Sequence, residues 1–252
     1  MEHKDKQHAF QLGVSIFIVL AFLTAPEFLL AVNFPSVPLL VLIALAKAAL
    51  IGYYYMHIYR LKQAEEGEDR ASYAYKTGTA RLGLWLFLLS DSFVFGGLLV
   101  TRFSLLAMNR PELNQALGLA VTSVLLISSF FMNRAETAMQ HGDRKNFLSG
   151  TLVTIVLGVA FLLGVVGVEW RTAPFGPGDG AQGAVFYMMT GMHAFHVLTG
   201  VLFLLVIFRN GLRNRYTVEK HWAVEAAAVY WHFVDVVWVF FYPALYLIGS
   251  VL

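Results

Sequence analysis

Seven long apolar runs, near residues 10–32, 37–59, 82–101, 113–132, 147–168, 183–208 and 222–249, take up most of this 252-residue chain. The hydrocarbon core of a bilayer, about 30 Å thick, is crossed by roughly 20 apolar residues in a helix. In that medium each backbone polar group must find a partner within the structure, which a helix supplies from its own turns. The charged fraction, 13%, is about half the roughly 25% usual in soluble domains. The expected fold is therefore all-α: a polytopic membrane protein with seven transmembrane helices.

The polar connections divide the runs unevenly. NFPS at 33–36 is a tight hairpin, whereas RLKQAEEGEDRASYAYKTGTAR at 60–81 is long and dense in both signs of charge. This predicts a two-helix hairpin over 1–66, a charged linker over 67–81 and a five-helix bundle over 82–252. With the N-terminus cytoplasmic, 14 of the 18 basic residues fall on the cytoplasmic side. Only Arg102, Arg110 and Arg171 fall opposite, and Lys47 lies inside a span. The positive-inside rule then places the N-terminus in and the C-terminus out. The start, MEHKDKQHAF, mixes acids with bases and leads to no A-x-A-like site, so the first span is expected to be retained.

Several functions are excluded or unsupported. The chain has no cysteine, which rules out disulfides, thiolate zinc sites and thiol catalysis. A formal charge of +2 gives no electrostatic case for nucleic acid. There is no phosphate-cradling glycine loop, G-x-S-x-G elbow or H-E-x-x-H helix, and GPGDG at 176–180 reads as a turn-rich loop.

Chemistry therefore rests on the few ionisable residues within the spans: Glu27, Lys47, His57, Asp91, His193, His196, His232 and Asp235, with Glu225 near the start of the last. A charge at mid-bilayer costs roughly 2.5–3.5 kcal/mol on insertion scales and marks a functional interior or a paired group. His193 and His196 are three residues apart and share a helix face, as metal or haem ligands or as interior struts. His232 and Asp235 have the same spacing, which suits a mutually neutralising pair or one step of a proton relay. Asp91 is the most isolated charge, with no local partner in the sequence. Lys47 has two options, snorkelling or pairing with Glu27 on the adjacent helix. Tyr53, Tyr54, Tyr55 and Tyr59 read as an interfacial aromatic belt.

Three stretches then carry a resemblance. YTVEKHWAVEAAAVYWHFVDVVWVFFYPALYLIG resembles the C-terminal helix of subunit III of haem-copper cytochrome oxidases. FYMMTGMHAFHVLTGVLFLL resembles the preceding helix with its T-G-x-H-x-x-H-V pattern. LGLWLFLLSDSFVFGG resembles the helix bearing that family's buried carboxylate, here Asp91 where Glu is more frequent. Residues of about 76–252 fit in order. The first two spans lack the W-W-R-D-like motif of seven-helix forms, and LIALAKAALIGYYYMHIYR instead resembles the second helix of bacterial oxidase subunit IV.

The resemblance implies a subunit with no redox centre, lodged in the bacterial cytoplasmic membrane beside catalytic subunit I and subunit II. Haem and copper would belong to those partners, and phospholipid would bind this chain. It would support assembly, stability and proton uptake, and a respiratory supercomplex is a further expected setting. Asp91, His193, His196, Glu225, His232 and Asp235 carry over as polar positions lining the bundle, and Arg209 as a candidate lipid-headgroup contact. The alternative is an accessory subunit of bacterial nitric oxide reductase, which ELNQALGL, the aspartate at 91, VEW at 168–170 and the FYPALYL ending resemble.

Overall fold

A computed structural model describes residues 2–33, 36–58 and 72–251. Seven helices in it are long and apolar enough to cross a membrane. Helix α1 spans Glu2–Asn33, α2 Val37–Leu50, α3 Tyr73–Leu106 and α4 Gln115–Gln140. Helix α5 spans Arg144–Leu162, followed by the short α6 (Trp170–Thr172), then α7 (Gly180–Leu212) and α8 (Trp222–Tyr242).

Three spans end in wider π-helical turns, at Ile51–Tyr55, Leu163–Glu169 and Pro243–Leu247. Each of these ends carries an inward-facing polar side chain: Tyr55, Glu169 and Tyr246 are all buried. Such turns are frequent at functional or strained positions. A departure from all-α is a two-residue parallel pairing, Asn109–Arg110 (β1) with Ser250–Val251 (β2).

Local sequence sets several helix starts. Ser72 caps α3 by accepting from the Tyr75 amide, and Asn114 caps α4 by accepting from Leu117 at 3.0 Å. Asp143 caps α5, its two carboxylate oxygens accepting from the Asn146 amide and side chain. Each cap satisfies a backbone N–H that the first turn leaves open.

The hub is α8. In its most apolar stretch 83% of residues are buried inside the chain, against 11% in α3. The sequence shows why: Trp231 needs room, and glycines on neighbouring helices provide it. A Cβ at Gly158 of α5 would lie 2.5 Å from the Trp231 ring, and one at Gly200 of α7 would lie 2.9 Å from it. A row of hydroxyls on α4 then meets α8. Trp231 Nε1 donates to Ser128 Oγ at 3.0 Å, and Trp238 Nε1 donates to Thr122 Oγ1 at 2.9 Å. Small polar residues of this kind let membrane helices approach closely and bond across the gap.

Two boundaries differ from expectation. Helix α3 begins at Tyr73, so residues 73–81, expected as linker, are its first turns; 67–71 and Tyr59 lie outside the described residues. Arg102 belongs to α3, not to the connection after it, and its side chain is fully buried.

Candidate functional site

The polar interior gathers at four places; α8 contributes to two of them, and the turn after it to a third. The first joins α1, α2 and the hub. Lys47 Nζ lies 2.5 Å from Glu27 Oε2, and both residues are at most 1% exposed. Pairing, not snorkelling, is the outcome for Lys47. Asp235 of α8 is 1% exposed. Its polar neighbours are Ser129, whose hydroxyl faces it as a weakly placed donor, and Lys47.

His232 does not pair with Asp235 as their spacing suggested. Its Nδ1 bonds to Ser129 Oγ at 2.9 Å, and its ring lies 5.0 Å from that of Tyr55. Residues three apart diverge by about 60° around a helix, enough for a tightly packed hub to present them to different neighbours. Tyr55 is no belt residue either: it is buried, and its Oη donates to the Gly13 carbonyl at 3.0 Å.

The second place joins α3 and α7. His196 Nε2 lies 3.1 Å from Asp91 Oδ2, and His196 Nδ1 faces the Met192 carbonyl at 2.8 Å. Asp91 therefore has a partner that its own helix could not reveal. His193, one turn earlier, faces elsewhere, between the rings of Phe161, Trp238 and Phe241. Neither of its ring nitrogens has a hydrogen-bond partner among the described residues. The two histidines thus do not converge on one ligand. Among the described residues no cluster of three or more His, Cys, Asp or Glu is placed to hold a metal ion.

The third place is the far end of the hub, which sequence reading missed. Arg102, fully buried, donates to the carbonyls of Ala244, Ala107, Asn109 and Ile248 at 2.6–2.8 Å. It thereby ties the end of α3, where Ala107 sits at φ 48°, to the turn after α8. Nearby, Tyr246 Oη donates to Glu169 Oε1 at 2.5 Å. Arg102 and Glu169 escaped notice because each falls at the edge of an apolar run, where a charge reads as loop.

At the fourth place, Arg81 at the start of α3 holds Glu225 of α8 through three hydrogen bonds of 2.9–3.2 Å. Between α3, α7 and α8 runs an apolar groove of about 630 Å³, bordered by Phe87, His196, Phe203, Trp222 and Tyr230. Arg209 is exposed in the last turn of α7.

A seven-helix membrane subunit whose ionisable groups bind its own helices together is the class these features define. Compared with known proteins, the chain matches the family Cytochrome c oxidase subunit III over residues 6–250. It is 38% identical over 183 residues to cytochrome c oxidase subunit 3 of Equus caballus, covering 68% of this chain and 70% of the relative. The subunit 3 of Bos taurus is similar to the same extent, and that of Rhinoceros unicornis is 37% identical over the same length. The chain belongs to the cytochrome c oxidase subunit III family. The match runs through the hairpin as well as the bundle.

Proposed function

We propose that the chain serves as the non-redox subunit III of a respiratory terminal oxidase in a bacterial cytoplasmic membrane, with its N-terminus inside. The family match over residues 6–250 carries this reading. In this reading the chain sits beside the catalytic subunit and subunit II, which would supply haem and copper. Its work there is assembly, stability and support of proton uptake. The exposed apolar side of α3 suits docking within the membrane, since 11% of its span is buried by the chain itself. The relatives' names favour an oxygen reductase over the nitric oxide reductase.

Phospholipid is the proposed occupant of the groove between α3, α7 and α8. Its wall is apolar, and Arg81, whose guanidinium lies 5.4 Å from the Trp222 ring centroid, stands at one end where a headgroup would lie. The likeness of the hairpin to subunit IV is a proposal about origin, supported by the sequence LIALAKAALIGYYYMHIYR.

The test is deletion of this chain from the host membrane, followed by purification of the catalytic subunit. Oxygen reduction should persist per haem at first and then decay faster than in the complete complex. An unchanged complex, in yield and in working lifetime, would rule out the accessory role.

A further inference from the structure

The seam between hairpin and bundle holds an uneven set of charges. Glu27 of α1, Lys47 of α2 and Asp235 of α8 are each at most 1% exposed. Lys47, bonded to Glu27, is also the cation within electrostatic reach of Asp235. Lys47 is committed to Glu27 Oε2 at 2.5 Å, Glu27 Oε1 lacks a hydrogen-bond partner among the described residues, and Asp235 has only the weakly placed Ser129 hydroxyl beside it. The other polar groups facing the seam are Ser129 of α4, Tyr55 in the π-helical turn after α2, His232 and Tyr242 of α8, and, beyond His232, His57, which is itself 4.0 Å from Glu136. Tyr55 donates to the Gly13 carbonyl, and Ser129, which contacts both His232 and Asp235, is a neutral group that cannot balance a carboxylate charge. With both carboxyls ionised, the seam would carry one uncompensated negative charge at membrane depth. An unpaired buried charge is among the costliest features a fold can contain.

We propose that this seam is a proton-binding site: a single proton resides on Asp235, held there because Lys47 is occupied by Glu27. The ligand is the proton itself, and the site is a three-member unit. Asp235 is then neutral, Glu27 and Lys47 cancel, and the interface between the two helical units is uncharged. Removing Glu27 releases Lys47 to Asp235, which then gives up its proton to the solvent. Removing Lys47 leaves two carboxyls with no cation, and both take up protons. This goes beyond the proposed role in an oxidase and does not depend on it, because it concerns equilibrium occupancy of the chain's own interior.

The experiment is infrared spectroscopy of the full chain, in its complex and in lipid, counting protonated carboxyl C=O bands; ¹³C-aspartate labelling separates Asp from Glu. Asp235→Asn should remove one aspartic band. Glu27→Gln should remove the same aspartic band, although it deletes a glutamate. Lys47→Met should keep it and add a glutamic one. Persistence of the aspartic band in Glu27→Gln would overturn the coupling, and its presence unchanged in Asp235→Asn would overturn the site. A second protonated carboxyl, lost from the wild type on Glu27→Gln, would also overturn it. Glu27→Gln and Asp235→Asn are near-isosteric, and the wild-type band count stands as a test even if Lys47→Met fails to assemble.

Discussion

His196 on α7 and Asp91 on α3 meet at 3.1 Å, with side-chain exposures of 11% and 16%, and His196 borders the apolar groove. The contact joins the least buried helix to the bundle. It also turns Asp91 from an isolated charge into one half of a pair.

Replacement of Asp91 separates structure from titration. Asp91→Asn keeps the shape and a group that His196 can bond, so assembly should be close to normal, and oxygen reduction with it. Asp91→Leu leaves His196 Nε2 without its partner and should destabilise the subunit by about 1–3 kcal/mol. Thermal dissociation of the complex, read alongside turnover, distinguishes them. A fully assembled Asn variant with several-fold slower turnover would mean that Asp91 takes part in proton movement.

Arg102 should be far less tolerant. Four carbonyl oxygens end on one guanidinium. Arg102→Leu strands them and frees the turn at Ala107, at a cost of at least about 3 kcal/mol. Arg102→Lys offers fewer donors without the planar fork and should recover only part of the loss. Protease access to the C-terminal residues is the direct readout, since β2 and Ile248 are held by this cluster. Unchanged protection in Arg102→Leu would refute the clasp.

Gly158→Ala tests the packing of the hub. Its added methyl would press on Trp231 at 2.5 Å and on Val201 at 2.9 Å. Overpacking of this kind costs about 1–3 kcal/mol. The melting temperature of the purified complex should fall, and more than for Gly97→Ala, where a Cβ meets nothing within 4 Å.

What the sequence revealed and what it withheld divide along a physical line. Apolar length announces a span, so all seven helices were legible before any coordinates. Pairing with Glu27 of the adjacent helix was one of two options that the sequence left open for Lys47, and the structure takes it. Partners from distant helices were not legible. Ser129 was passed over because a serine in a span carries no charge to betray it, yet it displaces Asp235 as the neighbour of His232. Asp91 seemed unsupported because its partner stands 105 residues away. Arg102 was read as a loop residue because four backbone carbonyls, which no composition signals, compensate its charge.

The distribution of basic residues predicts the topology: 14 on the cytoplasmic side against Arg110 and Arg171 opposite, once Arg102 is assigned to α3. A reporter active only outside the cytoplasm, fused after Leu252, should be active, and a cytoplasmic reporter at the same place should be silent. The opposite result would require inverted insertion or one span fewer.

The central claim is that this chain is a redox-silent companion of a haem-bearing catalytic subunit, and one optical spectrum tests it most directly. The complex purified through a tag on this chain should show haem absorbance and reduce oxygen. The same chain stripped of its partners should keep its helical content and show neither a Soret band nor stoichiometric copper. Stoichiometric haem on the isolated chain, or a tagged chain that brings down no haem protein from its own membrane, would contradict the account.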